Sequence, residues 1–419
     1  FKLLKSKMKL LFCLVLALPT TFGATTWREL PNYSFDDYTR EFKKNYVQGS
    51  SEWNYRKGLF DTRLSKILKQ NQIPGKKFKL GVNKYTDLTE EEFHPMRFSQ
   101  SHASLKHVLP NEDQQWAMLG ASPGEDLKSE DLPNFSEKVR SHIGHHDKVR
   151  TRLRGKFASA DWSQWPASLD WSKRGVMTQV HDQAGGSCWA HTAVEAMEAQ
   201  AAIQHGRNPV DLSVQEIVSC VPNPRKCGGD GGCQGSIVEL AFDYVKENGL
   251  HTKESYPFDH YGICTDSTCK SPSLLQSNNS DTLSLSSYRN LPANKLKPVM
   301  DALQRGPVAI AVSTDGWRDY DGGILEVTTK DVILGHAVLL VGYGEEEGEK
   351  YWKIRNSWGY WGEAGYIRLK RMNNPEKWCG QDTNAQAGTA CEGDPSTVTV
   401  CGANGLLYDP VAVTSVGKI

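Results

Sequence analysis

The stretch Gly185-Gly186-Ser187-Cys188-Trp189-Ala190 sets a cysteine at the mouth of an apolar, Ala-rich run, Ala190 to Ala202. That run has high helix propensity, and glycines and a serine lead straight into it. Cys188 is therefore expected at or near a helix N-terminus, where the dipole and open N–H groups favour a thiolate. The plain alternative is that Cys188 is half of a disulfide. A thiolate nucleophile needs a base, and the base needs a group to orient it. Neither lies close by in sequence. Far downstream, Gly335-His336-Ala337-Val338-Leu339-Leu340-Val341 places a histidine before a buried-looking strand. Further on, Tyr351-Trp352-Lys353-Ile354-Arg355-Asn356-Ser357-Trp358-Gly359 reads as a strand running into a turn that carries an asparagine.

The elements that must position these residues belong to a chain of 419 residues, enough for two or three domains. Lys plus Arg (49) balances Asp plus Glu (49), so no basic excess calls for nucleic acid or an anionic membrane. Ten cysteines are many for a cytosolic protein and ordinary for a secreted one. Lys2, Lys5, Lys7 and Lys9 precede the apolar run Leu10 to Leu18, and small residues follow at Thr21, Gly23 and Ala24. This is the pattern of a secretory signal peptide over residues 1–23, with Met8 the expected initiator. No later stretch is long and apolar enough to cross a bilayer, so no membrane insertion is expected. N-x-S/T sequons at Asn32, Asn134 and Asn278 are candidate glycan sites.

Residues 34–72 read as helical, with Glu52, Arg56, Phe60, Arg63, Ile67 and Asn71 falling on one helix stripe. Pro74-Gly75 breaks the pattern, Phe78-Lys79-Leu80 reads as a strand, and Thr89 is the expected N-cap of a short helix. Residues 98–160 are polar, broken by Pro and Gly, and without sustained period, so they read as a linker. Six of the 12 histidines fall between His94 and His146, a tract that can bind metal or titrate near pH 6; a solvated linker is the favoured reading. Arg150, Arg152, Arg154 and Lys156 form a candidate processing site. From Cys188 to about residue 270 the chain reads as mainly helical. From about 283 it carries β-like runs at 308–312, 337–341, 351–355 and 366–369. Helices followed by strands predict an α+β fold of two halves, with Cys188 and His336 on opposite walls of a cleft.

Several of these segments resemble one family. The helix stripe resembles the Glu–Arg–Phe–Asn–Ile–Asn signature of the inhibitory propeptide of papain-like cysteine proteases, with Arg63 in place of the first Asn. Gly81 to Asp87 resembles its Gly-x-Asn-x-Phe-x-Asp motif, with Tyr85 for Phe. Trp165 to Trp171 resembles the N-terminal segment of the mature enzymes. With Gly-Ser-Cys-Trp, His336 and Asn356, the resemblance covers residues 34–97 and from 165 to the end. It implies a cathepsin-type, two-lobed fold, a helical lobe plus an antiparallel β-barrel lobe, preceded by a helical propeptide. The implied divisions are a signal peptide (1–23), an inhibitory propeptide (24–97), a His-rich activation segment (98–160) and a peptidase domain (161–419).

On that resemblance Cys188 is the nucleophile, His336 its base and later acid, and Asn356 the orienter of the imidazole. Trp358 shields that hydrogen bond, and Gln183 with the Cys188 N–H stabilises the oxyanion. Gly235, Ser236, Ile237 and Val238 line the non-primed cleft. Ile237, Val238, Ala311 and Leu334 form an apolar pocket for the residue two before the scissile bond. The implied activity is that of an endopeptidase made as a zymogen, with no metal or cofactor. Protein substrates and its own propeptide are its partners, acting on a monomer in the lysosome, vacuole or extracellular space. Linker histidines gaining charge would help release the propeptide at acidic pH. An exopeptidase and a non-catalytic homologue acting as a binding or inhibitory protein are the alternatives.

The chain also departs from the family pattern. Gln183-Ala184-Gly185-Gly186-Ser187-Cys188 is one residue shorter than usual and lacks the first cysteine of its loop; the turn after Asn356 is likewise one shorter. His191 replaces the usual aromatic three residues after the nucleophile, and a structural core role is expected for it. Beyond Cys13 and Cys188, eight cysteines allow up to four disulfides. Cys220 and Cys264 resemble the ends of one family disulfide. Cys233 resembles a cysteine whose family partner is missing, and Cys227 is the expected substitute. Of Cys379, Cys391 and Cys401, at least one must pair elsewhere, Cys269 being a candidate, or stay free. Zinc on Cys220, Cys227 and Cys233 is the alternative, against the lack of a paired Cys-x-x-Cys. The segment 382–400 is an insertion with no role apparent from sequence.

Overall fold

The computed structural model describes residues 30–93, 162–258, 264, 268–270 and 281–417. The expected signal peptide, the His-rich segment 98–160 and its basic run lie outside these residues.

The N-terminal body is built on the helix stripe. Helix α1 (Phe35–Glu41) is capped by Ser34, whose hydroxyl and Asp37 form a reciprocal capping box. Helix α2 (Ser51–Asn71) buries Phe60 and Ile67 against Leu30, Phe35, Tyr38 and Val82. The polar members of the stripe fasten everything that follows. Asn71 brackets Leu80 of strand β1 (Phe78–Leu80), donating to its carbonyl (2.7 Å) and accepting from its N–H (2.9 Å). Arg56 makes a bidentate pair with Glu92 of helix α3 (Glu90–Phe93), at 2.5 and 2.7 Å. Buried Asp87 accepts from Tyr38, Tyr46 and Lys44.

The second body begins with β2 (Leu169–Asp170). Three helices follow: α4 (Cys188–His205), α5 (Val214–Cys220) and α6 (Val238–Asn248). Helix α4 is buried on every side from Cys188 to Ala202, which its alanines permit by letting neighbours close in. It ends where Gly206 takes a left-handed conformation (φ 59°). A short pair, β3 (Leu250–His251) with β4 (Thr282–Leu283), leads to the strand-rich half. There follow β5 (Leu285–Asn290), α7 (Leu296–Leu303), β6 (Val308–Val312), β7 (Tyr320–Leu325), β8 (His336–Glu346), β9 (Glu349–Arg355), β10 (Tyr366–Lys370), β11 (Cys379–Asp382), β12 (Val398–Cys401) and β13 (Val411–Val416). The main sheet runs β5-β13-β6-β8-β9-β10-β7-β1, with β2 also on β8. Its pairs are antiparallel except β7 with β10, a parallel pair within the expected antiparallel lobe.

The N-terminal body joins that sheet directly. β1 pairs antiparallel with β7, Phe78 opposite Gly323, and extends the sheet edge as an added strand. Gly323 has φ +88°, and a Cβ there would lie 2.2 Å from the Lys77 carbonyl oxygen, so only glycine admits this approach.

The four disulfides among the described residues are Cys220–Cys269, Cys227–Cys391, Cys233–Cys264 and Cys379–Cys401. They correct the expected Cys220–Cys264 and Cys227–Cys233 pairs. Cys233 sits against the shortened loop, its carbonyl accepting from Gly186 N–H at 2.8 Å; the Cβ of Cys264 lies 3.5 Å from where Gly185 would carry one. With the loop's own cysteine absent, Cys233 takes Cys264, and Cys220 turns to Cys269. Cys391 is the C-terminal cysteine that pairs elsewhere, but with Cys227, not Cys269. Cys220, Cys227 and Cys233 are all oxidised, which removes the thiolates a zinc ion would need.

Candidate active site

The β8–β9 hairpin puts a histidine and an asparagine side by side. His336 opens β8, Asn356 follows the last residue of β9, and Leu339 lies opposite Arg355 in the ladder. His336 Nε2 and Asn356 Oδ1 are 2.8 Å apart, and both residues are fully buried. An amide oxygen only accepts, so Nε2 carries the proton of the neutral ring and Nδ1 is left as the basic nitrogen. Asn356 Oδ1 also accepts from Ser357 N–H (2.9 Å), which holds the amide's orientation. Trp358 lies over the imidazole at 5.1 Å between ring centres, and Trp317 meets it edge-on at 6.3 Å.

Cys188 is the first residue of α4, as the glycine-serine lead predicts. It is the free cysteine among the described residues and is buried. The backbone N–H of Ala337, the residue after His336, is directed at its sulfur, so the helix start and the β8 start meet there. The expected low thiol pKa does not follow. Burial pushes the thiol up to about 12 and outweighs the N–H groups of Ala337 and Trp189 that favour the anion.

The shortened loop is tied to the turn after Asn356. Gln183 N–H donates to Ser357 O (2.7 Å), and Gln183 Oε1 accepts from Ser357 Oγ (2.6 Å). Gln183 Nε2 donates to Gly185 O (2.9 Å), within the shortened loop itself. Gly186 has no room for a side chain: a Cβ would lie 2.9 Å from Cys233 O and 3.1 Å from Gly235 N.

Residues 165–389 match the family described as papain family cysteine protease, and residues 35–93 match the cathepsin propeptide inhibitor domain (I29). The chain belongs to the papain family of cysteine proteases. It is 34% identical over 301 residues to cysteine protease XCP2 of Arabidopsis thaliana, covering 70% of this chain and 79% of that one. It is 31% identical over 394 residues to a cathepsin L-like peptidase of Aedes aegypti, covering 90% and 98%. Among solved structures it resembles the proform of the Amb a 11 cysteine protease, a ragweed pollen allergen, with a TM-score of 0.60. That match has 26% identity and covers 93% of this chain and 97% of the other. The chain is thus a papain-family endopeptidase that carries its own propeptide inhibitor domain.

The propeptide of this papain-family chain reaches the site through aromatic contacts. Tyr85 and Phe93 meet Trp358 edge-on at 5.8 and 5.4 Å. Arg318, unremarkable in sequence, is the anchor. Its guanidinium donates to the carbonyls of Tyr85 and Leu88 and to Glu90, and lies 4.7 Å over the Phe93 ring. Arg63 of the stripe adds a contact with Asp319. Trp317, next to Arg318, stacks on Trp361, so one aromatic block carries both the imidazole and the propeptide.

The four apolar residues expected to form one pocket do not form one cluster. Ala311 and Leu334 pack with Val332, Val400 and Tyr408, whereas Ile237 and Val238 pack with the main core. Ala311 and Leu334 thus belong to the strand-rich half, and Ile237 and Val238 to the helical half. Ser236 is buried, and Gly235 takes φ +95° at the end of the Gly231–Gly235 turn.

His191 points into a buried charged cluster. Its Nδ1 lies 3.1 Å from His181 Nδ1. Burial would lower His181, but the hydrogen bond with Asp211 and the Glu195 and Glu198 carboxylates outweigh it and hold it above its ordinary value. Burial, then the His181 charge, holds His191 well below. Glu195 also faces Arg355 at 3.0 Å, both fully or nearly fully buried. Thus the loop before Gln183, the helix after Cys188 and the strand before Asn356 share one charge network, which no sequence pattern had marked.

Proposed function

We propose that Cys188 attacks the peptide carbonyl, that His336 takes and returns the proton, and that Asn356 holds the imidazole. The observation that carries this reading is the 2.8 Å His336–Asn356 bond, with Ala337 N–H directed at the Cys188 sulfur. His336 Nδ1 accepts the thiol proton as substrate arrives, and the thiolate adds to the carbonyl. The proton passes to the leaving amine, a thioester remains, and water activated by the same imidazole hydrolyses it. The Cys188 N–H and the Gln183 amide bind the oxyanion once Gln183 Nε2 swings from Gly185 O toward the cleft. Trp358 keeps water from the His336–Asn356 bond. Ile237 and Val238 on one wall and Ala311 and Leu334 on the other select an apolar residue two before the scissile bond, with Gly235 and Ser236 presenting backbone to the substrate.

Residues 1–23 act as a signal peptide, 24–97 as the inhibitor, 98–160 as an activation segment and 161–419 as the peptidase, working as a monomer. Four disulfides support a route through the secretory pathway to a lysosome, vacuole or the extracellular space. No helix of the described residues is long and apolar enough to cross a membrane. A peptidyl epoxide should label the processed protein one-to-one, and Cys188→Ala should abolish both labelling and peptide hydrolysis. Full hydrolysis by Cys188→Ala would sink the assignment.

A further inference from the structure

The insertion 382–400 has a defined course. Strands β11 and β12 pair from Cys379 opposite Cys401 to Asp382 opposite Val398, a stem closed by the Cys379–Cys401 disulfide. The stem is built against the strand-side wall: Val332 N–H donates to Gln381 O (3.1 Å), and Leu334 N–H to Asp382 Oδ2 (2.9 Å). The far end is fixed to the helical half. Cys391 is bonded to Cys227, Gly228 N–H donates to Ala390 O (3.0 Å), and Glu392 N–H donates to Arg225 O (2.7 Å). Arg225 in turn pairs with Asp394 at 3.1 Å. The position a Gly228 Cβ would take is 2.9 Å from Gly388 O, 3.0 Å from Ile237 Cγ2 and 3.1 Å from the Ser236 carbonyl carbon. Gly388 and the Ser236–Ile237 stretch therefore both close on Gly228.

Residues 383–390 thus leave the wall that carries Leu334 and arrive at the wall that carries Ile237. A segment that joins the two walls of a cleft closes that cleft where it crosses. This one is ordered along its length: Ala385 N–H donates to Ser396 O (2.9 Å), and Thr389 and Ala390 N–H both donate to Ala385 O (2.8 Å). Ala385 is fully buried. Two disulfides hold its stem and its far end, so it cannot swing aside as a free loop would.

We infer that residues 383–390 form a crossbar at the non-primed end of the cleft, one that limits how many substrate residues bind before the scissile bond. The inference rests on the proposed catalytic residues and on Ser236, Ile237 and Leu334 as walls of the non-primed cleft. A substrate reaching as far as the Ile237–Leu334 pocket fits beneath the bar. Each further N-terminal residue must pass over it and loses the extended-strand contacts an open cleft would give. The enzyme remains an endopeptidase, but long non-primed segments bind worse.

The test uses the self-processed enzyme, active-site titrated at Cys188, with fluorogenic peptides that share one leaving group and the same last two residues. Their N-terminal side is lengthened from two to five residues. The crossbar predicts at least about a tenfold fall in kcat/KM on passing from two residues to four, carried mostly by KM. Releasing the far end with Cys227→Ser/Cys391→Ser should recover at least about threefold on the long peptides and leave the two-residue peptide unchanged. A flat or rising series in the unmodified enzyme overturns the crossbar, whether or not the double variant folds. Hydrolysis of no peptide at all would overturn the Cys188 assignment, and the crossbar with it; equal hydrolysis of every length overturns the crossbar alone.

Discussion

Cys188 shows that a helix N-terminus does not by itself make a thiolate. Burial pushes its thiol up to about 12, so it stays protonated at pH 7. Because the folded state holds this proton more tightly than the unfolded state, its contribution to stability is lost as pH rises from about 9 toward 12. Iodoacetamide should alkylate Cys188 in the zymogen at least about 100-fold more slowly than in the processed enzyme, as read by peptide mapping. Equal rates would mean that the buried thiol is not what the docked propeptide maintains. His181 makes a second residue-scale prediction. Its folded pKa is raised, so its contribution is fully present below about 6.5 and lost as pH climbs through the folded value. His181→Asn leaves Asp211 without its cationic partner and Glu195 with Arg355 alone, and should destabilise the protein by about 1–3 kcal/mol at pH 6, and less at pH 9. Thermal unfolding at the two pH values measures it. His191 is a core histidine, as sequence reasoning had it; its partner His181 carried no local signal.

At the scale of elements, the propeptide is held by a strand and a turn more than by its long helix. Helix α2 supplies a small core and a row of polar clamps, but β1 makes the ladder with β7 and the Tyr85–Phe93 stretch supplies the aromatic contacts. Gly323→Ala would set a methyl 2.2 Å from the Lys77 carbonyl oxygen and should push β1 off the edge. The unprocessed variant is expected to show several-fold more hydrolysis of a small peptide at pH 7 than the native zymogen; no rise in that background would count against the ladder as a brake. The stripe-bearing helix α2 and the short helix after Thr89 were legible from periodicity and the Thr89 cap, because these are local properties; the reading of 34–72 as helical missed the turns between Glu41 and Ser51. The edge on which β1 lands was not, because strand pairing depends on a partner far away in sequence.

At the scale of the whole molecule, acid can unlatch the inhibitor from within. Arg56, bonded to Glu92, holds that carboxyl below its usual range. A carboxyl so lowered contributes stability above about 4.5 and loses it as pH falls through the folded value. Protonation therefore weakens the tie between α2 and α3 and leaves Arg318 to hold Glu90 and Phe93. Glu92→Gln should raise the pH at which self-processing is half-complete by about one unit, the equivalent of about 1.4 kcal/mol. An unchanged midpoint would place the acid trigger elsewhere, as in the histidines of the linker. The crossbar acts at the same scale. It fastens the strand half to the helical half, so cleft width and substrate length are set together.

Sequence alone determined the parts whose information is local: a cysteine at a helix start, a histidine and an asparagine at strand ends, a clamp-bearing helix stripe, and an order of helices before strands. Residue type, spacing and capping fix such features before the chain folds. The tertiary structure decided what depends on meetings between distant residues and on burial. It re-paired Cys220, Cys227, Cys233 and Cys264, recruited Arg318 to the propeptide and set Trp317 against His336 and Trp358. It packed Ala311 and Leu334 in a different cluster from Ile237 and Val238, and it tied the 382–400 insertion to Cys227 through Cys391. It also reversed the expected ionisation of Cys188, because the dielectric around a thiol is a property of everything packed against it and not of the helix it begins.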